Sequence, residues 1–324
     1  MPVKTPAPHL RAVTSVPEMM WRVVLALFPV FIASFIAFGF QALRILGIAA
    51  TTALLTEIGA RTLFRKPATV HDGTSLISAL LFALLLPPSL PSWTVALGSA
   101  FGIFFGKEIF GGLGQNPFNP ALVGYAFLLV AFPDAGGGFS ETLLVQDSWI
   151  GIFTLLLGGA ILFGSRVIHW EIPLIYIGSV LGFSATLGHS PGEDLFSGVV
   201  LFAALFLVTD PVTTPITRAG ERWFCVVSGL LAALIRPGVA LPAALSSGIL
   251  ATNAMNPWLD RWIRPRRSFY QGQKEALAKV KMIRLEPKPS ARALPLNFQR
   301  LAFEFLRWLG FIFFVALLLY GLNR

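Results

Sequence analysis

Apolar residues fall in blocks of about twenty along this chain, long enough to cross a bilayer as helices. The blocks run approximately over residues 20–40, 43–60, 73–89, 91–107, 117–132, 149–164, 167–187, 195–209, 222–236, 239–257 and 301–321. Lipid offers the backbone no hydrogen bonds, so each block must satisfy its own, which predicts an all-α polytopic membrane protein. Composition agrees: 55% of the 324 residues are hydrophobic and 13% charged, against about 25% charged in a soluble domain. A soluble enzyme, a secreted disulfide scaffold and a disordered tail are excluded on that basis. The single cysteine, Cys225, excludes an internal disulfide and any cluster or haem held only by this chain's own cysteines.

The net charge of +9 is concentrated in one place. Residues 261–300 hold eleven Lys and Arg against Glu275 and Glu286, which accounts for the whole excess. A basic run beside a membrane segment is first a positive-inside marker, and secondly a surface for anionic headgroups or an acidic partner. No nucleic-acid partner is expected, because no aromatic platform or recognition motif accompanies the charge. With the N-terminus in the cytoplasm, the inner loops carry Arg61, Arg65, Lys66, Lys107, Arg166, Arg218 and Arg222. The outer loops then carry Asp134, Glu141, Asp147, Glu193 and Asp194, with Arg236 as the basic exception. Residues 1–19 are polar and proline-bearing and read as a cytoplasmic segment rather than a cleavable leader.

Residues 20–260 form the expected membrane domain, divided into repeats of about 20–132 and 149–257. The third block, from Asp72, and the eighth, from Phe196, both place a Gly-containing turn before an apolar run that stops at proline. In the proposed topology they enter from opposite sides, as an inverted repeat requires. The expected architecture is therefore a ten-helix core of two inverted five-helix repeats. A basic linker at 261–300 and one additional transmembrane helix at 301–321 follow it. Glycine and proline interrupt Leu113–Pro120, Thr209–Pro215 and Pro237–Pro242. Irregular backbone at membrane depth is tolerated only where protein buries it or it lines a cavity, so these breaks are the places to look for a ligand.

The most informative stretch is GKEIFGGLGQNPFNPALVGYAFLLVAFP, Gly106 to Pro133. Asn116 and Asn119 each precede a proline, which favours turn geometry with amides free to hydrogen-bond. Two such amides could hold a flat heterocycle; alternatively they only cap the helix that starts near Pro120. In TDPVTTPITRAGER, from Thr209, the polar groups Asp210, Thr213, Thr214 and Thr217 lie at the inner end of a membrane helix. Intramembrane acids default to a functional role, while an interfacial turn is the plainer account. His9, His71, His169 and His189 are none of them mid-helix, so haem is not expected, and no spacing suggests a metal. Lys107 and Glu108 read as part of the interface, and the helices look almost free of charge, offering no ion relay.

The run KEIFGGLGQNPFNPALVGYAFLLVAFP resembles RnfD, the D component of the Rnf ion-translocating electron-transport complex and a relative of NqrB. DGTSLISALLFALLLPP, LVTDPVTTPITRAG, the TPAPHL opening and IRPGVALPAALSSGILATNAMNPWLDR are similar to the same family, in order over about residues 5–265. The resemblance implies a place in a bacterial inner-membrane complex, beside other Rnf-type membrane subunits, passing electrons between flavins and iron–sulfur centres while moving Na⁺ or H⁺. It also implies a non-covalent flavin, riboflavin or FMN, held near the cytoplasmic side by Asn116, Asn119, Asp210 and Thr213. Family members usually carry Ser-Gly-Ala-Thr before the eighth helix, with FMN on the threonine. The matching run here is Ser197-Gly198-Val199-Val200. Val200 has no hydroxyl to form the phosphoester, so no covalent FMN is expected, with Ser197 the one nearby hydroxyl. The extra C-terminal helix also departs from the pattern and suggests a partner of its own. Such a subunit would not be an enzyme alone and has no catalytic residue to name. Two other classes stay open: a flavin-free scaffold subunit, and a small-solute channel or transporter, which inverted repeats also build.

Overall fold

The computed structural model describes residues 16–67, 69–135 and 139–263. Most of the N-terminal segment, the basic linker from residue 264 on and the helix expected at 301–321 lie outside the described residues. Every regular element among the described residues is helical. The order is α1 (Val16–Phe38), α2 (Phe40–Leu63), α3 (Thr74–Leu84), α4 (Ser92–Ile103), α5 (Pro120–Ala131) and α6 (Trp149–Gly164). Then follow α7 (Glu171–Thr186), α8 (Pro191–Phe196), α9 (Val199–Phe202), α10 (Arg218–Ile235) and α11 (Leu241–Trp262). Two π-helical turns extend α4 and α9, at Phe104–Glu108 and Ala203–Leu207.

The packing places α4 between α2 and α5, and α10 between α7 and α11, while α1 lies along α6 and α5 meets α11. The outer surface is apolar: Leu25, Phe28, Ile32, Phe35 and Ile36 form an exposed stripe on α1. A stripe of that kind needs lipid or protein against it. All seven described tryptophans are exposed and lie near helix ends. Trp21, Trp170, Trp223, Trp258 and Trp262 mark the end where α1 begins, and Trp93 and Trp149 the other, the arrangement of interfacial aromatic belts.

Side-chain bonds tie each end together. At the end where α1 begins, Trp21 donates to the His71 carbonyl (3.3 Å), Arg22 to the Ser165 carbonyl (3.1 Å), and Arg222 pairs with Glu171. At the other, Ser34 donates to the Leu143 carbonyl (2.6 Å) and Arg236 pairs with Asp194 at 3.4 Å. Arg44 belongs to this second end too, donating to the carbonyls of Pro88 and Leu90. Arg236 is therefore not the lone basic exception there.

Two blocks that hydropathy reads as single helices are broken. The block at 73–89 is helical only to Leu84, because the Pro87-Pro88 pair removes a donor and disfavours helical geometry before it. Its return chain is buried and satisfied: Leu86 accepts from the Leu143 N–H at 2.9 Å, and Arg44 covers two further carbonyls. The block at 195–209 breaks at Ser197-Gly198. The helices that remain are short. Eleven residues of α3 rise about 16 Å, against roughly 30 Å of hydrocarbon. Only Pro17–Phe38 and Phe40–Leu63 are, among the described residues, long and apolar enough to cross alone.

Candidate functional site

The end where α1 begins contains a buried group of four charges that block-averaged hydropathy conceals. Glu57 and Arg61 from α2 meet Lys107 and Glu108 from the π turn after α4, and none is more than 6% exposed. Arg61 Nε lies 3.4 Å from Glu57 and 3.3 Å from Glu108; Lys107 Nζ lies 3.5 Å from Glu57 and 3.8 Å from Glu108. The helices are therefore not free of charge, and Lys107 and Glu108 are buried within the protein. Glu57 and Arg61 come together because residues four apart share a helix face. Lys107 and Glu108 are neighbours that an α-helix would point about 100° apart; here both lie in the π turn, a local widening common at functional sites.

The hydrogen bonds of the group are uneven. Lys107 Nζ donates to Thr74 Oγ1 (2.7 Å) and Ser75 Oγ (2.9 Å), and Thr69 Oγ1 donates to Glu57 Oε1 (2.6 Å). Thr74 in turn donates to Asp72 Oδ1 at 2.6 Å. Both oxygens of Glu108 and Oε2 of Glu57 have no hydrogen-bond donor.

Lys107 also lines a cleft of about 60 Å³, bounded by Met20 and Val23 of α1, Ile77 of α3, Asn116, Asn119, Phe206 and Asp210. As it stands the cleft has room for a few water molecules. Its walls are mostly apolar with a few convergent polar groups, the usual make-up of a ligand site.

The structure brings Asn116, Asn119, Asp210 and Thr213 to this one end, and gives three of them intramolecular work. Asn119 Oδ1 accepts from the Ala121 N–H at 3.0 Å, capping α5. Asp210 accepts from the Val212 N–H (3.2 Å) and Thr213 Oγ1 (3.0 Å), which shapes the 209–215 turn. The Thr213 carbonyl accepts from Asn256, and Asn253, with its amide oriented to suit its neighbours, bridges that carbonyl (3.1 Å) to the Asn119 N–H (3.2 Å). The turn after α9 is thereby tied through α11 to the start of α5. Asn116 differs: it is 6% exposed, donates to the Phe118 carbonyl at 3.1 Å, and leaves Oδ1 buried without a partner.

Ser197, Gly198 and Val200 are elsewhere. They begin α9, whose other end carries Asp210, so about ten residues of helical rise, roughly 15 Å, separate them from the cleft. Ser197 Oγ donates to the Asp194 carbonyl at 2.7 Å, and Val200 is wholly buried. Gly198 holds φ +77°, a conformation that favours glycine.

Burial pushes the Asp210 carboxyl above the usual carboxylate range, opposed by the bonds from Val212 and Thr213. A carboxyl raised in the fold contributes stability that is complete below its unfolded pKa and is lost as pH rises through the folded value. Stability should therefore fall with pH above about 4 on this group's account. Asp210→Asn fixes the neutral form and is expected to flatten that fall in thermal unfolding curves taken in detergent. An unchanged slope in the variant would clear Asp210 of the effect.

Comparison with known proteins gives a match to the NQR2, RnfD, RnfE family over residues 3–147 and 144–268. Similar proteins include the D component of the proton-translocating ferredoxin:NAD(+) oxidoreductase complex of Clostridium ljungdahlii. It is 32% identical over 309 residues, covering 80% of this chain and 93% of the relative. The D component of the Na(+)-translocating ferredoxin:NAD(+) oxidoreductase complex of Acetobacterium woodii is 31% identical over 295 residues, with the same coverages, 80% and 93%. Its counterpart in the ion-translocating oxidoreductase complex of Mannheimia succiniciproducens is 32% identical over 342 residues, covering 82% and 97%.

Proposed function

This chain belongs to the NQR2, RnfD, RnfE family, and from that premise we propose that it is the D-type component of an ion-translocating electron-transfer complex that holds a flavin non-covalently. The observation that carries the flavin is Asn116, a buried amide oxygen without a donor at the wall of a mostly apolar cleft. A buried acceptor left unpaired costs about 1–3 kcal/mol, and a ligand N–H would recover it. An isoalloxazine ring presents such an N–H on its polar edge and apolar faces to Ile77 and Phe206. Asn119, Asp210 and Thr213 hold the backbone around that edge rather than competing for it. The bound flavin would supply the redox chemistry, and the protein its placement and electrostatics.

A covalent FMN has no support. Val200 offers no hydroxyl, and the Ser197 hydroxyl is engaged by the Asp194 carbonyl. The expected inverted repeat is supported by recurring contacts, α2–α4–α5 in the first half and α7–α10–α11 in the second. It is supported too by Gly73 and Gly198, which precede α3 and α9 with φ of +75° and +77°. The excess of Lys and Arg favours a cytoplasmic orientation for the end that holds the cleft, in a bacterial inner membrane with other Rnf-type subunits as partners.

The visible spectrum of the protein purified with its partners, repeated after acid precipitation, tests this. Yellow colour released into the supernatant is expected, and Asn116→Ala should lower the flavin content at least tenfold while leaving the elution profile unchanged. Colour kept in the pellet would mean a covalent flavin. No flavin in any fraction would favour a scaffold subunit, the role that the small cleft and the missing threonine together allow.

A further inference from the structure

We propose that Glu108 is a proton-accepting site that takes up a proton when negative charge arrives in the cleft, fed from Asp72 through Thr74 and Lys107. The proposal rests on the flavin reading above and deepens it. Two cations and two carboxylates make the buried group neutral, and Lys107 is the member that touches both the acids and the cleft. An electron on a ring held in the cleft would place a further negative charge beside Lys107, whose single ammonium would then have to compensate both it and Glu108. In low dielectric a second uncompensated negative charge beside it is costly, and a proton removes that cost.

Glu108 is the acid to take it. Glu57 keeps a hydrogen bond from Thr69 at 2.6 Å, whereas neither oxygen of Glu108 has a donor, only ion pairs at 3.3 and 3.8 Å. The remaining charged neighbours are accounted for: Arg61 stays with both acids, Lys66 donates to the Gly111 carbonyl at 3.2 Å, and Asp72 is held by Thr74. The route is short, with Asp72 to Thr74 at 2.6 Å, Thr74 to Lys107 at 2.7 Å, and Lys107 to Glu108 at 3.8 Å, within reach of a side-chain rotation. Asp72 is half-buried and forms the entry, while Glu108 is closed to solvent. One N–H bond breaks at Lys107 as one O–H bond forms on Glu108. Lys107 regains a proton from the Thr74 hydroxyl once that hydroxyl turns from Asp72 toward it, Thr74 regains one through the Asp72 carboxyl, and the proton enters at Asp72 from a hydronium ion that leaves as water. The electron comes from a reduced iron–sulfur or flavin centre of the complex. A metal ion is a poor occupant of the same oxygens, since Arg61 and Lys107 lie within 3.8 Å of them.

Infrared difference spectra of the purified complex, oxidised against dithionite-reduced, in H₂O and D₂O, test this. Reduction is expected to produce a protonated-carboxyl C=O band that shifts in D₂O. The band should vanish in Glu108→Gln with flavin absorbance retained, move in Glu108→Asp, and persist in Glu57→Gln. Thr74→Val should slow its appearance at least tenfold without lowering its final amplitude. Flavin that is reduced without any such band in the unmodified complex overturns the proposal alone, as does a band lost in Glu57→Gln but kept in Glu108→Gln. A complex without flavin overturns the reading beneath it and this one together.

Discussion

Lys107→Met is expected to remove most of the folded protein from detergent extracts. The substitution keeps the length of the side chain and deletes the charge that faces Glu57 and Glu108 at 3.5 and 3.8 Å. It leaves two buried carboxylates against Arg61 alone, and it strips Thr74 and Ser75 of their donor. Removing one partner from a buried ion pair costs about 3–5 kcal/mol because the survivor is left uncompensated. Set beside a total stability of about 5–15 kcal/mol, such a loss is enough to empty the native state of a marginal protein. Adding Glu108→Gln to Lys107→Met leaves Glu57 and Arg61 as a matched pair and is expected to recover a large part of the loss. Fluorescence-detected size exclusion and thermal melts of the single and double variants decide it. A single variant as stable as the parent would mean that these four groups do not form a charged network.

Gly102→Leu and Gly124→Leu are expected to be comparably damaging, for a steric reason. A Cβ at Gly102 would lie 2.5 Å from the Pro120 carbonyl oxygen, and one at Gly124 2.5 Å from that of Gly98. These partners are backbone, which cannot swing aside. Gly98, Gly102 and Gly106 recur every fourth residue along α4 and its π turn and present a smooth stripe to α5, so the two segments touch main chain to main chain. Overpacking of a tight interface costs about 1–3 kcal/mol even for added methylenes, and here the helix that positions Lys107 and the one that starts beside Asn116 would both be displaced. Gly178 and Gly182 on α7 meet nothing within 4 Å. Alanine there should leave the stability unchanged or raise it, by about 0.5–1 kcal/mol per site. Loss at α7 equal to the loss at α4 would contradict the close-contact account.

Hydropathy made the bundle legible because lipid demands long apolar blocks, and the breaks at Leu113–Pro120 and Thr209–Pro215 both fall at the end that holds the cleft. Block averages also hid the most consequential groups. Glu57 lies inside the apolar block at 43–60, where one acid scarcely changes a mean, and its i, i+4 partner Arg61 falls just past the boundary. That spacing could have been read as an ion pair. The convergence of Lys107 and Glu108 could not, since neighbours on an ordinary helix diverge and nothing in the residue types announces a π turn. The glycines at 98, 102 and 106 were readable as a packing stripe from spacing alone. Asn116 and Asn119 look equivalent in sequence, each before a proline; only the fold makes one a helix cap and leaves the other with an unspent oxygen.

The shortness of α3 has an electrical consequence. A membrane voltage falls almost entirely across the layer that contains neither water nor mobile charge. If the charged group at one end and the satisfied return chain at the other leave only the eleven residues of α3 as that layer, it is about 16 Å thick. The same voltage then acts over roughly half the usual distance, and the local field is roughly doubled relative to a bilayer of ~30 Å. A charge displaced by one helical turn, ~5.4 Å, would traverse about a third of the drop instead of under a fifth. Small movements beside this helix would therefore do, or resist, more electrical work per ångström than the same movements along a full-length span.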